Sequence, residues 1–295
     1  MPELPEVETV RRGLSELIIG KVLASATNDT PKSFPNAPAD VSRFLVGASV
    51  VSIRRRAKVL MIDLSTDYSL VVHLKMTGQL VFVGKDTRFG AGHPNDSLVD
   101  ALPDKSTRVT LVFDDESQLF FNDQRKFGWV RLMPTVEIPS LPFMQKVGPE
   151  PLEDQFTAEA FADRFKRRGR TNIKAAILDQ SVVAGVGNIY ADESLWGAKI
   201  NPKRLVETIT PAEFNELYTD LRAVMNLSID KGGSSNRNYV NAEGKRGSYM
   251  DFARVFRREG LACPRCGTTI EKLRVAGRGT HICPYCQPED ASAIL

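Results

Sequence analysis

The amino-acid sequence predicts an α+β protein with more than one domain, in which a mainly β domain precedes a mainly helical one and a tail that carries all the cysteines. Three observations support this fold class: apolar residues at helical spacing at the N-terminus, short β-type runs up to about residue 133, and helical periodicity after a proline-rich connection. The chain has 295 residues. Because domains typically contain roughly 100–200 residues, we expect at least two.

The first segment is predicted to be a helix that begins at Glu3. Its apolar residues recur at helical spacing from Leu4 to Ile18, which gives one buried stripe. Pro5 suits a first helical turn, and the acidic side chains of Glu3 and Glu6 lie near the positive end of the helix dipole. Local propensity and electrostatics therefore favour the same structure.

Residues 21 to 133 are predicted to form a mainly β domain. The stretch from Gly84 to Asp104 is rich in Gly, Pro and Asp and has no periodicity, so we expect a long exposed loop there. The runs that indicate strands are Val59–Leu64, Ser69–Leu74, Gln79–Val83, Arg108–Phe113, Gln118–Phe121 and Trp129–Leu132.

Helical patterns follow the proline-rich connection from Pro134 to Pro151. The stretch from Gly232 to Gly247 is dense in Gly, Ser and Asn, which is typical of a surface loop. The candidate helices cover about 158–168, 171–179, 186–196 and 211–230. The predicted boundaries are a first domain at 1–134, a linker at 135–150, a helical domain at 151–255 and a zinc-binding domain at 256–290.

Composition excludes several classes of protein. Hydrophobic residues make up 42% and charged residues 25% of the chain, values that argue against disordered and fibrous proteins. No apolar stretch approaches the roughly 20 residues that span a bilayer, and the N-terminus lacks the basic-then-apolar order of a signal peptide. We therefore expect a cytoplasmic protein with no membrane partner.

Basic charge is concentrated near the C-terminus. The net charge of the chain is +3, but the segment from Arg237 to Cys286 holds ten basic and four acidic residues and thus carries +6. Such a segment attracts nucleic-acid phosphates through counterion release, although a solubilising charged face has the same composition. Charge alone leaves both interpretations open.

The cysteine spacing predicts a metal site. Two Cys-X-X-Cys pairs, Cys263 with Cys266 and Cys283 with Cys286, are separated by sixteen residues. Each pair can direct two thiolates at one ion, and two pairs complete the tetrahedron that zinc accepts. Disulfides are disfavoured because a cytosolic chain keeps its thiols reduced. With four sulfur ligands no coordination position remains for water or substrate, so we expect one structural Zn²⁺.

The segment between the cysteine pairs is predicted to form a hairpin. Gly277 and Gly279 flank Arg278, as in a tight turn between two strands, so this arginine is expected to project from the tip. A rigid, zinc-braced arginine suits a phosphate or base contact. An exposed arginine without a function explains the pattern equally well.

The N-terminus offers a reactive amine. Removal of Met1 would leave Pro2 with a secondary amine, and α-amines have pKa values near about 8, so a fraction is neutral and nucleophilic at neutral pH. Attack on C1′ of a deoxyribose would expel the base and give an iminium, which acidifies the neighbouring carbon and permits elimination of the 3′ phosphate. Glu3 would supply or shuttle protons if burial raised its pKa. Taken alone, both residues fit an ordinary helix start.

Five blocks resemble the formamidopyrimidine-DNA glycosylase family, in the expected order along nearly the whole chain. The blocks are the opening Met1-Pro-Glu-Leu-Pro-Glu-Val-Glu-Thr-Val10, then His73-Leu-Lys-Met-Thr-Gly78, Asn122-Asp-Gln-Arg-Lys-Phe-Gly128, Ala184-Gly-Val-Gly-Asn-Ile-Tyr190 and Gly277-Arg-Gly-Thr-His-Ile-Cys283. The resemblance implies an N-terminal β-sandwich domain with an N-terminal helix, a helix-two-turn-helix domain and a zinc-finger β-hairpin.

The resemblance also implies a catalytic set. Pro2 and Glu3 match the family's nucleophile and its proton-transfer residue, Lys58 matches the lysine associated with β-elimination, and Arg278 matches the arginine associated with the δ step. A cation beside a departing phosphate stabilises developing negative charge, so these two positions are chemically reasonable.

DNA-binding residues are implied in two groups. Met76, Arg125 and Phe127 match the residues that fill the space left by an extruded nucleotide. Phosphate contacts are expected from three residues on or beside the helix-two-turn-helix. They are Arg170, Lys174 and Asn188.

The implied activity is removal of oxidised purines, such as 8-oxoguanine and formamidopyrimidines, followed by strand cleavage through β,δ-elimination. The expected partner is double-stranded DNA that contains oxidised bases, and the expected form is a nucleoid-associated monomer. One departure concerns Ser106, which stands where many members have a histidine before the strand at Val109. Ser106 is expected to occupy that DNA-contacting position.

Three other functions compete with this one. A zinc-dependent DNA-binding module without catalysis has no need of a processed Pro2. An endonuclease VIII-type glycosylase for oxidised pyrimidines shares the mechanism, although Met76 and the opening Pro-Glu-Leu-Pro resemble the purine-directed branch. A phosphodiester hydrolase with a catalytic metal is disfavoured because the predicted metal site is closed.

Overall fold

A computed structural model describes residues 1–234 and 249–289 of the protein. The chain divides into two compact units. The first comprises Met1–Gln145 and Ser228–Tyr249, and the second comprises Lys146–Leu227 and Met250–Leu295.

The first unit combines helix α1 (Leu4–Ile18) with two antiparallel sheets. Five strands form one sheet in the order β1-β7-β8-β5-β6, and four form the other in the order β2-β3-β4-β9. Two short helices, α2 (Pro38–Asp40) and α3 (Pro142–Lys146), lie outside the sheets. The strands are β1 (Leu23–Asn28), β2 (Val50–Arg56), β3 (Val59–Leu64), β4 (Tyr68–His73), β5 (Gly78–Val83), β6 (Arg88–Gly92), β7 (Thr107–Phe113), β8 (Gln118–Asp123) and β9 (Trp129–Pro134).

The core of this unit lies between the sheets. Ile62 and Leu70 from the four-stranded sheet and Leu80 and Phe121 from the five-stranded sheet belong to one buried cluster. Alternating inward-facing residues of two packed sheets are the defining feature of a β-sandwich, so the predicted sandwich is confirmed. The apolar stripe of α1 joins the same cluster, which fixes the N-terminal helix on the sandwich.

The expectation of an exposed loop from Gly84 to Asp104 is wrong. Residues Arg88–Gly92 form β6, which pairs with β5, and Ala91 and Leu98 are buried. The ring of Phe89 occupies the space that a side chain at Gly13 of α1 would need. Pairing with the preceding strand β5 in a hairpin supplied the structure that local periodicity lacked. Strands β1 and β2 were also absent from the predicted set.

The second unit is mainly helical, as predicted. Asn172 accepts a hydrogen bond from the amide of Ala175 (2.8 Å), which caps α5. The first α-helix of this unit is shorter than expected. It ends at Phe165, and a 3₁₀ turn follows at Lys166–Arg168. The helices are α4 (Ala158–Phe165), α5 (Ile173–Leu178), α6 (Asn188–Gly197) and α7 (Pro211–Asp230), and the hairpin strands are β10 (Glu271–Val275) and β11 (Arg278–Ile282).

The predicted loop from Gly232 to Gly247 falls mostly on residues 235–248, which lie outside the described part of the chain. Within the described ranges, none of the helices has both the length and the apolar character needed to cross a membrane.

Candidate active site and nucleic-acid interface

The N-terminal residues are fixed at the start of α1. Pro2 is buried, and Glu3 is the N-cap residue with 2% of its surface exposed. In a reciprocal capping box, the Glu3 carboxylate accepts from the amide of Glu6, and Glu6 Oε2 accepts from the amide of Glu3 (2.8 Å). Glu6 Oε1 also accepts from the amide of Ser234 (2.8 Å). The burial that proton transfer by Glu3 would require is therefore present, and Glu6 is a positioning residue that sequence reasoning treated only as a dipole partner.

Helix α1 is tied to the strand that leads to Lys58. Glu8 accepts hydrogen bonds from Arg11 (2.8 Å) and from Arg55 of β2 (3.1 Å). Burial alone would raise the pKa of Glu8, but the two arginines hold this pKa at about 2. Arg55 also donates to the carbonyl of Ala57 (3.0 Å), which adopts a left-handed conformation in the turn before Lys58. A single carboxylate thus links the helix to this turn.

Lys58 lies in the β2–β3 turn and is buried, with 8% of its surface exposed. The adjacent Val59 pairs with His73 of β4. Burial, together with the charges of Lys75 and Lys58, lowers the pKa of His73 to about 3. Its Nδ1 accepts a hydrogen bond from the amide of Lys75 (3.0 Å), so the neutral ring carries its proton on Nε2 and can donate from there.

The three residues expected to fill an emptied stack lie on two turns of the first unit. Met76 is half-buried in the β4–β5 turn, and Arg125 and Phe127 are exposed in the β8–β9 turn. The guanidinium of Arg125 lies over the Phe127 ring, 4.9 Å from its centroid, and the ammonium of Lys32 lies 5.7 Å from the same centroid. An exposed aromatic ring flanked by two cations suits contact with bases and phosphates.

The turn between α5 and α6 is braced by Gln180. Its side-chain amide donates to the carbonyl of Val186 (2.8 Å) and accepts from the amide of Gly185 (2.9 Å). Asn188 follows as the first residue of α6, and Arg170 is exposed before α5. Main-chain amides at a helix start are suited to binding phosphate.

The structure corrects the expectation that Lys174 contacts phosphate. Its side chain is fully buried, and its ammonium pairs with Asp192 (2.6 Å) and donates to the hydroxyl of Thr280 (2.6 Å) and the carbonyl of Gly279 (3.2 Å). A lysine whose charge is neutralised in the interior cannot reach a DNA backbone. Asn188 donates to the same carbonyl (2.9 Å), so both residues hold the strand next to Arg278.

Ser106 is also not placed for a DNA contact through its side chain. It is 2% exposed, its hydroxyl donates to Asp104 (2.7 Å), and its amide donates to the same carboxylate (2.6 Å). The position that the resemblance assigned to a DNA contact is here part of a buried polar turn.

The four cysteine sulfur atoms lie within 4.8 Å of one another and form no disulfide. Tetrahedral Zn–S bonds of about 2.3 Å place sulfur atoms about 3.8 Å apart, so the thiols fit one structural Zn²⁺. Arg265, between the first two cysteines, packs over Trp196 of α6 (3.9 Å to the ring centroid) and donates to its carbonyl (3.0 Å). The metal site is thereby attached to α6.

Arg278 lies where the sequence predicted. Strands β10 and β11 pair through Val275 and Arg278, which leaves Ala276 and Gly277 as a two-residue turn. Both turn residues have positive φ, as the turn types preferred in hairpins require. The exposed Arg278 therefore begins β11 at the tip of the hairpin.

An N-terminal helix on a β-sandwich, a helix-two-turn-helix and a Cys₄ hairpin together define a DNA glycosylase of the helix-two-turn-helix class. Family models for the formamidopyrimidine-DNA glycosylase N-terminal domain, its H2TH domain and the zinc finger found in FPG and IleRS match residues 1–130, 147–239 and 260–288. The chain therefore belongs to the formamidopyrimidine-DNA glycosylase family, whose members are base-excision-repair enzymes with glycosylase and lyase activities.

Relatives match along almost the whole chain. The formamidopyrimidine-DNA glycosylase of Pediococcus pentosaceus is 39% identical over 287 residues, which cover 97% of this chain and 99% of the relative. A Lactococcus lactis enzyme in complex with DNA that contains Fapy-dG has a TM-score of 0.83 and 34% identity, and covers 97% of this chain and 100% of that one. A complex of the Lactococcus lactis enzyme with abasic-site DNA gives the same TM-score and identity and covers 97% and 99%.

Zinc removal is expected to unfold the hairpin, because structural zinc binding contributes roughly 10–16 kcal/mol to the folding of small zinc domains. Metal analysis should find one zinc per chain, and Cys266→Ser should lower both zinc content and the melting temperature. The exposed Tyr285, between the last two cysteines, provides the control. If Cys266→Ser retains zinc and stability as fully as Tyr285→Phe does, the structural role of the site is refuted.

Lys174→Met is expected to lower the free energy of unfolding by about 3–5 kcal/mol, because it leaves the buried Asp192 carboxylate without its ammonium partner. Asp192→Asn in the same background should recover part of that loss. Urea titration followed by circular dichroism measures both effects. Lys203→Met, which breaks an exposed pair with Glu289, should cost less than about 1 kcal/mol. Equal costs at the two lysines would contradict the buried-pair interpretation.

His73 is expected to remain neutral from pH 8 to pH 5. Its pKa is lowered in the folded protein, so the unfolded chain binds more protons below pH 6.5, and the contribution of His73 to stability declines as pH falls from there towards 3. NMR titration of its ring, assigned by comparison with His73→Gln, tests this. The urea-unfolded protein should titrate near pH 6.5 as the reference. A midpoint near 6.5 in the folded protein would disprove the expected shift.

Proposed function

We propose that the protein excises oxidised purines from double-stranded DNA and cleaves the strand at the resulting site, with the amine of Pro2 as nucleophile. The observation that carries this proposal is the placement of Pro2 and Glu3 at the first turn of a helix whose start is fixed by the Glu3–Glu6 capping box. The family's named activity and the DNA lesions in the complexes of its relatives support the substrate class. A complex of MutM with DNA that contains carbocyclic 8-oxo-G supports it as well.

The reaction begins after removal of Met1. The lone pair of the Pro2 nitrogen attacks C1′, the bond from C1′ to the damaged base breaks, and the base leaves with a proton. Opening of the sugar ring gives an iminium between Pro2 and C1′. Glu3, buried beside the amine, is the group we assign to protonate the sugar oxygen. The positive end of α1 favours the neutral, nucleophilic form of the amine.

Two eliminations follow. Loss of a proton from C2′ to solvent breaks the C3′–O bond to the 3′ phosphate, and loss of the C4′ proton to solvent then breaks the C5′–O bond to the 5′ phosphate. We assign Lys58 to the first step and Arg278 to the second, because a cation stabilises the charge on each departing phosphate. The neutral His73, which pairs with Val59 directly after Lys58, offers a further donor from Nε2 for the same phosphates.

Recognition is assigned to side chains on turns and at a helix start. Met76, Arg125 and Phe127 enter the space left by the extruded nucleotide, where a thioether and a ring replace stacking and a guanidinium binds the orphaned base. Arg170 and Asn188 bind phosphates. Lys174 supports the hairpin from the interior and does not bind DNA directly.

The remaining features follow from the same proposal. A chain of this kind acts as a monomer in the cytoplasm on nucleoid DNA. The domain boundaries that we propose are 1–134 for the catalytic domain, 135–150 for the linker, 151–255 for the helix-two-turn-helix domain and 256–290 for the zinc finger.

Incubation with a duplex that contains 8-oxoguanine and with sodium borohydride should trap a covalent adduct at Pro2, since reduction of the iminium fixes the enzyme to the sugar. Pro2→Gly should lower the rate of strand cleavage at least about a hundredfold, because a primary amine at a changed position is a poorer fit to the site. Mass spectrometry of the trapped peptide and gel analysis of the DNA provide the measurements.

A duplex of the same sequence with an oxidised pyrimidine in place of 8-oxoguanine serves as the comparison substrate. Faster excision from that duplex would favour the endonuclease VIII-type activity. Retention of Met1 in the active protein, or a full rate without adduct in Pro2→Gly, would reject the mechanism. Binding of damaged DNA without base release would leave the non-catalytic module as the explanation.

A further inference from the structure

Asp123, at the end of β8, is a buried carboxylate for which the mechanism above has no role. It is fully buried, with 0% of its surface exposed. It lies between the turn that carries Met76 and the turn that carries Arg125 and Phe127, since Asp123 pairs with Gly78 across β5 and β8. These are the two turns assigned to filling the emptied stack.

The carboxylate of Asp123 accepts from both turns. Oδ2 accepts from the amides of Phe127 (2.8 Å) and Gly128 (2.6 Å). Oδ1 accepts from the amide of Arg125 (3.1 Å) and, in a short hydrogen bond, from the hydroxyl of Thr77. A carboxylate has about four acceptor positions, and here all four are occupied.

Thr77 closes the link between the turns. Its hydroxyl oxygen also accepts from the amide of Arg125 (3.0 Å), while the hydroxyl proton goes to Asp123. Since Thr77 directly follows Met76 in the chain, the orientation of Met76 is coupled through one hydroxyl to that of Arg125.

The main chain of Asp123 is itself held by two further hydrogen bonds. Its amide donates to the carbonyl of Ser106 (2.8 Å), and its carbonyl accepts from Nε of the buried Arg108 (2.8 Å). A side chain at Gly128 would lie 3.1 Å from Asp123 Oδ2 and 2.7 Å from the Phe121 ring, so the glycine permits the close approach of its amide to the carboxylate. These buried contacts thus fix the position of the exposed turn that carries Arg125 and Phe127.

We propose that Asp123 is the positioning residue that holds Met76, Arg125 and Phe127 as one rigid group, so that the three side chains enter the stack together. This inference rests on the proposed function. Residues on separate flexible turns would each be ordered only on binding, whereas a shared anchor removes that cost before the nucleotide is extruded. The effect of Asp123 on the reaction rate should be greatest on a substrate whose base pair must be broken and least on one that lacks the base.

The test compares two substrates in one enzyme. Asp123→Asn keeps the shape of the side chain but replaces an acceptor with a donor that faces N–H groups. We expect the rate of excision from a duplex with 8-oxoguanine opposite cytosine to fall at least about tenfold more than the rate of cleavage at a preformed abasic site.

Asp63→Asn is the matched control. Asp63 lies in the other sheet and accepts hydrogen bonds from Ser52 (2.6 Å), Arg54 (2.8 Å) and Ser69 (2.7 Å), so the same chemical change removes a comparable set of contacts away from both turns. It should leave the ratio of the two rates unchanged. Thr77→Val, which removes only the link between the turns, should change the ratio in the same direction as Asp123→Asn and keeps the test decisive if Asp123→Asn does not fold.

An equal fall in both rates for Asp123→Asn, or an unchanged ratio in both variants, would overturn the positioning role. Borohydride trapping on the abasic duplex separates this failure from that of the proposed function. If the wild-type protein forms no adduct, the proposed function fails. If wild type and variants all form the adduct while the ratio stays constant, only the inference about Asp123 fails.

Discussion

Buried carboxylates that accept main-chain N–H groups are the interaction on which the described part of this structure depends. Glu6, Asp123, Asp192 and Glu193 each expose 2% of their surface or less. Glu193, for example, accepts from the amides of three successive residues, 254 to 256. A buried charge is costly unless its acceptor positions are filled, so each carboxylate forces its neighbouring segments into one arrangement. The segments held in this way include the start of the N-terminal helix, the turns that carry Met76 and Arg125, and the zinc hairpin.

The zinc hairpin shows how far this anchoring extends. Along β11, the carbonyl of Gly279 accepts from Asn188 and Lys174, Thr280 accepts from Lys174, and the amide of His281 donates to Asp192 (2.9 Å). The next anchor along the strand is the zinc ligand Cys283. The three positions of β11 directly behind the tip, 279 to 281, are therefore fixed, and Arg278 precedes them with an exposed side chain. Rigid support of a charged group reduces the ordering cost of its contact with phosphate.

The sequence predicted those features whose cause is local. Cysteine spacing identified the zinc site, glycine placement identified the hairpin turn at Arg278, and helical spacing identified α1. Burial of Lys174 was not predictable in this way, because a basic residue in a short helix reads as exposed until its partner Asp192, eighteen residues later, is placed beside it. Strand β6 was missed for another reason: residues Arg88–Gly92 have no periodicity of their own, and the strand forms by pairing with the adjacent β5 in a hairpin. The burial of Lys174 thus depends on a residue distant in the chain, and β6 depends on its neighbouring strand.

Four strained turns adjoin residues that the resemblance singled out. Among the described residues, eight that carry side chains have positive φ; four of them, Ala57, Lys75, Lys126 and Ala276, lie beside such residues, whereas Asp67, Glu116, Lys199 and Arg257 do not. The left-handed conformation costs roughly 1–2 kcal/mol for each such residue. Ala57 precedes Lys58, Lys75 precedes Met76, Lys126 lies between Arg125 and Phe127, and Ala276 belongs to the turn that presents Arg278. A folded chain keeps such strain only where surrounding contacts determine the turn, and here the determining contacts are those of Arg55, Asp123 and the hairpin pairing. Each left-handed residue costs conformational free energy. That cost is consistent with a requirement that its turn point the neighbouring side chain in one direction.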